Sequence, residues 1–556
     1  MKVVDAIADA ITAENVDTAF CLPDEVTVHI GQALRERGVR LVRGRHEQNL
    51  IAMCDGHARA TGQPAVCAVG HGPAIAQTAT ALTTAVRRRS PVLVLVPQGD
   101  PGRGSAKEFD TRRFAETTGA RFVQMRGAAW AAEDLHEAFR LARLRQGPVV
   151  LSVPQVAGIE TEIPGRWRYE AAPDLPKVAP DPTSDAIDDA AGMLAWARKP
   201  VIVAGRGAVL AGARDAIVAL AERVGALLAT SVQGREMFGG HALNIGLVGS
   251  YGTDAAVELL AESDCILAVG VALNVYQTGG GTLAGNARII QIDSDTARVG
   301  AFTRVDNVII ADARMAVEAI DRALQGADIS QTSAWADDAR VATAARPLLE
   351  PVFDEPDESG RLPMASVLRR LEALLPSDRI VVADIGDFML HTIDEISVPD
   401  PMSWVWTADF GSIGLGLPIG LGVALGSPGR PCVMFAGDGG LMMSMQELET
   451  AARERIPLTI VVLDDCAYRP EVRFMEALGK SGEVALFKEV DFAAVARAFG
   501  IPAVTVRTHE DFDAIADLLD GSGGPVLVDA KVSGQGTHRS FAHYEKGTLI
   551  PAARTP

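Results

Sequence analysis

The stretch AGDGGLMMSMQELETAARERIPLTIVVLDDCAY (residues 436–468) holds two apolar runs, each closed by an acid. The first, VMFAG, stops at Gly437-Asp438-Gly439-Gly440; the second, LTIVVL, stops at Asp464-Asp465; a helix-like stretch lies between. Short apolar runs bounded by turn residues read as buried strands. Open sheets built from such strands bind ligands at the strands' carboxyl ends. Glycines there let the backbone approach a ligand, and a helix N-terminus offers free N–H groups to a phosphate. An acid at the same place would repel that phosphate unless a divalent cation lay between them, and oxygen ligands suit Mg²⁺ or Ca²⁺. Asp465 would then supply a second ligand. Two unrelated turn acids is the other reading the same residues allow.

The pattern repeats along the chain. PAVCAVG (64–70), PVLVLVPQ (91–98) and PVVLSVP (148–154) form a first block of strands. KPVIVAGRGAV (199–209), GALLATS (225–231), SDCILAVGVAL (263–273) and ARIIQIDSD (287–295) form a second. RIVVADIGD (379–387), RPCVMFAGDGG (430–440), PLTIVVLDD (457–465) and GPVLVDAKV (524–532) form a third. Strands alternating with helices predict an α/β fold of doubly wound parallel sheets covered on both faces. Residues 155–183 and 326–362 lack the rhythm and carry Pro and charge, so they read as linkers. The expected organisation is three domains, 1–160, 184–325 and 360–532, with a tail at 533–556.

Composition narrows the function classes. The chain has 556 residues, 22% charged and 48% apolar, as in ordinary globular proteins. A net charge of −19 argues against a nucleic-acid partner, which calls for a basic stripe. The six cysteines, at 21, 54, 67, 265, 432 and 466, form no CxxC pair, which suits reduced thiols. MKVVDAIADAITAENVDTAF reads as an amphipathic helix with acids in it and not as a signal peptide. No apolar run approaches the roughly 20 residues of a membrane helix. A cytoplasmic location is expected.

The opening stretch resembles the GDG…N motif of thiamine-diphosphate enzymes, and the chain as a whole resembles their acetolactate synthase-like branch. By that resemblance Asp438, the residue 27 positions later, Asp465, and the main-chain carbonyl of Ala467 hold the Mg²⁺ of the cofactor's diphosphate. Asp465 departs from the family's Asn and adds a negative charge. RHEQNLIAMCDGHARATGQPAVCAVGHGP (45–73) is similar to the branch's N-terminal signature. It makes Glu47 the carboxylate that shares a proton with the aminopyrimidine ring, a buried acid's task. Without the resemblance Glu47 reads as an exposed acid at a helix start. GSIGLGLPIGLGVALG (411–426) is similar to the segment that places an apolar side chain, here Ile413, under the bent cofactor; a Gly-rich helix start packed on a sheet is the alternative. IGDFML (385–390) falls where main-chain contacts to the diphosphate are expected, although the family's Gly-Gln-His is replaced. The implied cofactor-binding set is Glu47, Pro73, Gly386, Asp387, Phe388, Gly411, Ile413, Gly437, Asp438, Gly439, Gly440, Asp465, Ala467 and Tyr468.

The resemblance implies a 2-oxo acid donor, loss of carbon dioxide, and protonation, oxidation or carboligation of what remains. An acetolactate synthase-like carboligation is the leading expectation. A plain 2-oxo-acid decarboxylase, an FAD-dependent pyruvate oxidase-type enzyme and a catalytically silent homologue are the alternatives. FCLPDEVTVHI (20–30) replaces the branch's Gly-Val-Pro-Gly loop, and Glu25 falls where simple decarboxylases carry an acid; a solvated loop acid is the alternative. GDPGRGSAKEFD (99–110) replaces their His-His pair. His71 stands where the branch has Ser, at a strand end beside the expected thiazolium, and is a catalytic candidate with Glu47 and Glu25. Arg87-Arg88-Arg89 ends a helix, where the dipole favours them. Arg469 and Arg473 follow the metal loop in a region that often lines the substrate channel. His538, His543 and Tyr544 lie on the tail. VALNVYQTGGG (271–281) lacks both arginines of the acetolactate synthases' flavin segment, so FAD is not expected. GRG (205–207) alone is a weak dinucleotide signal. A homodimer or homotetramer with active sites shared between chains is implied.

Overall fold

The computed structural model describes residues 1–99, 106–144, 147–173, 177–181, 185–278, 285, 287–345, 355–520, 523–536, 538 and 540. Three parallel sheets follow one another. The first contains β1 (Thr18–Cys21), β2 (Arg40–Arg43), β3 (Ala65–Ala68), β4 (Val92–Pro97), β5 (Arg121–Gln124) and β6 (Val149–Val153), ordered β2-β1-β3-β4-β6-β5. The second contains β7 (Pro200–Ala204), β8 (Leu227–Thr230), β9 (Asn244–Leu247), β10 (Cys265–Val269), β11 (Arg288–Asp293) and β12 (Asn307–Ile310), ordered β12-β11-β10-β7-β8-β9. The third contains β13 (Leu362–Pro363), β14 (Ile380–Ala383), β15 (Trp404–Trp406), β16 (Cys432–Gly437), β17 (Thr459–Asp464), β18 (Ala503–Val506) and β19 (Val526–Ser533). Its path is β13-β19-β17-β16-β14-β15, with β18 also paired to β19. Central strands such as β4, β6, β7 and β10 are buried at every residue, because helices cover both faces of a parallel sheet. Among the described residues, no helix is long and apolar enough to cross a membrane.

Six helices position the site: α1 (Glu47–Thr61), α2 (Asp387–Glu395), α3 (Gly416–Gly426), α4 (Asp438–Met442), α5 (Glu447–Glu454) and α6 (Arg469–Ala477). The glycines of α3 serve two packings: Gly416 and Gly420 lie against Asp384 and Met434 of its own sheet, and others face the first domain. The latter let α3 of the third domain cross α1 of the first at backbone contact. A Cβ on Gly422 would stand 1.9 Å from the Met53 carbonyl oxygen, closer than any side chain tolerates. One apolar core therefore runs across both domains, joining Leu50, Ile51 and Met53 to Leu417, Ile419 and Leu421.

The arginine run 87–89 does more than end a helix. Arg88 donates to the Gln233 side chain of the second domain, and Arg89 pairs with Asp295 at 2.6 Å. Arg206 of the GRG segment donates to the Arg88 carbonyl at 2.5 Å. These contacts tie the first domain to the second.

Candidate active site

The turn that closes β16 is built by close packing. Asp438 starts α4 and is buried; its Oδ1 accepts the Gly439 N–H at 2.7 Å, while its Oδ2 is buried with no hydrogen-bond partner among the described residues. Burial first, then the charge of Asp465, pushes the Asp438 carboxyl up to about 8. Gly439 has no room for a side chain, since a Cβ there would sit 2.4 Å from the Tyr468 ring.

β17 delivers two acids with different surroundings. Ligand atoms of Asp438, Asp464 and Cys466 fall within 4.8 Å of one another. Buried Lys531 takes Asp464 Oδ2 at 2.5 Å and Asp529 at 2.9 Å. Asp465, also buried, accepts from Arg469 Nε at 2.5 Å.

Twelve of the expected cofactor residues line one cavity of about 650 Å³: Gly386 to Phe388, Gly411, Ile413, Gly437 to Gly440, Asp465, Ala467 and Tyr468. The second domain contributes Gln233, Tyr251, Asn274 and Tyr276 to the opposite wall. Arg469 also lines it, whereas Arg473 is drawn into an ion pair with Asp387 at 2.8 Å. Of the tail residues, His538 donates or accepts at 2.7 Å with Asp394 and Ser540 reaches the cavity; His543 and Tyr544 lie outside the described residues.

The N-terminal candidates sit elsewhere in the chain. Glu47 is the first residue of α1, half-buried, and accepts from the Gln77 amide at 3.3 Å. His71 follows β3; its Nδ1 lies 3.4 Å from Thr111 Oγ1, its Nε2 is buried with no hydrogen-bond partner among the described residues, and burial lowers its pKa. Pro73 opens a short helix after it. Glu25 is exposed and ion-paired with Lys107 at 3.0 Å; a hydrogen bond from its own backbone and that from Lys107 lower its pKa. None of these four lines the cavity.

Two acids that sequence reading passed over hold this geometry. Asp384, at the end of β14, accepts the Gly414 N–H at 2.9 Å and so sets the loop that carries Ile413; burial pushes it up to about 6. Glu447, buried at the start of α5, accepts the Arg45 N–H at 3.1 Å, the Asn49 amide at 3.1 Å and the Thr450 hydroxyl at 2.7 Å. It clamps the loop entering Glu47. The signal available was an acid on the apolar face of a helix.

A buried carboxylate oxygen without a hydrogen-bond partner among the described residues, beside a Gly-rich turn at a helix N-terminus, fits a hard cation carrying a diphosphate. The fold and cavity thus define an α/β enzyme of the diphosphate-cofactor class. Three family models match in order: "Thiamine pyrophosphate enzyme, N-terminal TPP binding domain" over residues 1–112, "central domain" over 187–320, and "C-terminal TPP binding domain" over 384–530. The chain belongs to the thiamine pyrophosphate enzyme family, and its relatives include acetolactate synthases. It is 30% identical to a probable 2-ketoarginine decarboxylase of Pseudomonas aeruginosa, covering 95% of this chain and 93% of that one. It is 29% identical to a sulfoacetaldehyde acetyltransferase of Castellaniella defragrans, covering 91% and 88%. A probable acetolactate synthase large subunit of Methanocaldococcus jannaschii is 28% identical over 95% and 91%. A solved structure described as a thiamin diphosphate-dependent enzyme of Mycobacterium smegmatis shares the fold, with a TM-score of 0.79, 23% identity, and coverage of 96% and 100%.

Proposed function

We propose that this thiamine-diphosphate enzyme uses Mg²⁺ and acts on a 2-oxo acid, decarboxylating it and passing the remaining fragment to a second carbonyl compound. The observation that carries the reading is Asp438: a buried acid lining the cavity whose Oδ2 has no hydrogen-bond partner among the described residues. When bound, thiamine diphosphate supplies a carbon nucleophile for the keto carbon and an electron sink for decarboxylation. Asp438, with Asp465 and the Ala467 carbonyl nearby, would hold the metal and diphosphate. Ile413, set by Asp384, would support the cofactor's bend. Glu47 would share a proton with the aminopyrimidine nitrogen. His71, whose pKa burial lowers and whose Nε2 has no hydrogen-bond partner among the described residues, would hold or move a proton at the reacting carbon. Because Glu47, His71 and Pro73 do not line the cavity of their own chain, a homodimer or higher homo-oligomer is proposed, with Glu47 of one chain facing the diphosphate end of another. Acetolactate synthases and an acetyltransferase among the relatives support transfer, and the probable 2-ketoarginine decarboxylase keeps simple decarboxylation as the second reading.

The test is a screen of 2-oxo acids, alone and paired with aldehydes, on protein loaded with thiamine diphosphate and Mg²⁺. Carbon dioxide and a ligated product found by mass are expected. Carbon dioxide with only the simple aldehyde would select the decarboxylase reading, and no carbon dioxide from any donor would remove both.

A further inference from the structure

Four buried or half-buried acids line the cavity: Asp387, Asp409, Asp438 and Asp465. Three have a guanidinium. Asp409 pairs with Arg59 at 3.1 Å, Asp465 with Arg469 at 2.5 Å, and Asp387 with Arg473 at 2.8 Å. Asp438 has none among the described residues. A buried carboxylate without a counter-ion is costly, so leaving one bare at the cavity floor calls for a bound cation.

The arginines that pair with Asp465 and Asp387 come from one element. Arg469 and Arg473 stand four residues apart on α6, so both project from the same face. Each is anchored beyond its carboxylate. Arg469 also donates to the Asp465 carbonyl at 3.0 Å, and its guanidinium packs on Gly534, where even a methyl group would stand 2.1 Å from it. Arg473 donates to the Gly534 carbonyl at 3.3 Å and to that of Gly536. Neither guanidinium is free to swing away from its acid.

We propose that Arg469 and Arg473 are positioning residues for the cofactor site: α6 neutralises Asp465 and Asp387, so that Asp438 alone offers an uncompensated charge to the metal–diphosphate complex. The Asp465–Arg469 pair then acts as one neutral polar unit. This rests on the cofactor reading above and deepens it. Two bare carboxylates added around one Mg²⁺ and a diphosphate would repel the phosphate oxygens at short range. With the arginines in place that repulsion is absent.

The experiment is a double-mutant cycle read by binding, with no turnover involved. Thiamine diphosphate is titrated at saturating Mg²⁺ into wild type, Arg469→Gln, Asp465→Asn and the double variant, following intrinsic fluorescence and heat. Arg469→Gln should weaken cofactor binding on the order of tenfold, because Asp465 is left bare. Adding Asp465→Asn to it should restore binding to within about threefold of wild type, the signature of a coupled pair. Asp465→Asn alone should bind at least as well as wild type. If the double variant stays as weak as Arg469→Gln, or if Asp465→Asn alone weakens binding as much as Asp438→Asn does, Asp465 is an independent ligand and the proposal falls. Should Arg469→Gln not fold, Arg469→Lys carries the test: it keeps the charge and should bind within about threefold of wild type, and a tenfold loss would overturn the proposal. Asp438→Asn distinguishes the two levels, since unchanged binding there would remove the cofactor reading itself.

Discussion

The carboxylate of Glu447 accepts the main-chain N–H of Arg45 at 3.1 Å, across 402 residues of sequence. A buried acid of the third domain thereby sets the backbone two residues before Glu47, and its bond to Asn49 holds the first turn of α1 from the other side. Glu447→Gln keeps the size and one carbonyl acceptor but loses the charge-assisted bonds. The variant should slow proton exchange at the thiazolium carbon roughly tenfold, as loss of a supporting group does, while cofactor affinity stays within about threefold. Exchange at the wild-type rate would show that the clamp does not position Glu47.

Glu47→Gln should fold normally and keep most cofactor affinity, because the proposed diphosphate site lies in another domain. Thiazolium hydrogen–deuterium exchange, followed by nuclear magnetic resonance, should fall by roughly a hundredfold or more, the contribution of a positioned acid–base group. An unchanged exchange rate would sink the assignment of Glu47.

Shared sites can be tested by complementation. Glu47→Gln and Asp438→Asn proteins are each expected to be inactive. After verified subunit exchange, mixed dimers should recover about a quarter to a half of the sites, because some interfaces pair two intact halves. No recovery would place both halves in one chain.

Removing the metal should release the cofactor. Chelation of Mg²⁺ leaves the diphosphate facing Asp438 without the cation between them, and Asp438→Asn removes the charge that holds the cation. Both should weaken thiamine diphosphate binding on the order of a hundredfold in equilibrium dialysis. Tight binding after complete chelation would contradict a metal bridge.

His391 supplies a pH dependence away from the turn. It is packed against His538, ring centroids 5.1 Å apart, and burial lowers its pKa to about 4. A depressed folded-state value means that the unfolded chain binds the extra proton first. The stability contribution is therefore complete above the ordinary value near 6.5 and is lost as pH falls through about 4. Thermal melts of wild type should lose several degrees across that window relative to His391→Gln. Parallel curves for the two proteins would refute the assignment.

Much of the architecture was legible in the residues. Runs such as PVLVLVP and CVMFAG became β4 and β16 because a strand buried on both faces must be apolar throughout. Edge strands were not legible: β2 reads Arg-Leu-Val-Arg and β5 Arg-Phe-Val-Gln, half-exposed and polar, with no run to betray them. The turn 437–440 was readable because glycine spacing, an acid and a helix start are local features. Arginines placed in the channel from their position after β17 turned out to be ion-paired, since a guanidinium's partner depends on what the fold brings within about 3 Å and not on its neighbours in the chain.

The sequence by itself determined which strands could be buried, that a Gly-rich turn closes the apolar run at 437–440, and that the chain carries acids at 438, 464 and 465. Only the tertiary structure decided which acid was left bare. Asp464 met Lys531 from 67 residues away, Asp465 met Arg469 one helical turn on, and Asp438 met no cationic side chain among the described residues. Local chemistry is written in residue type and spacing, but a buried charge is set by its counter-ions and by lost solvent, and both are fixed only when distant segments pack together.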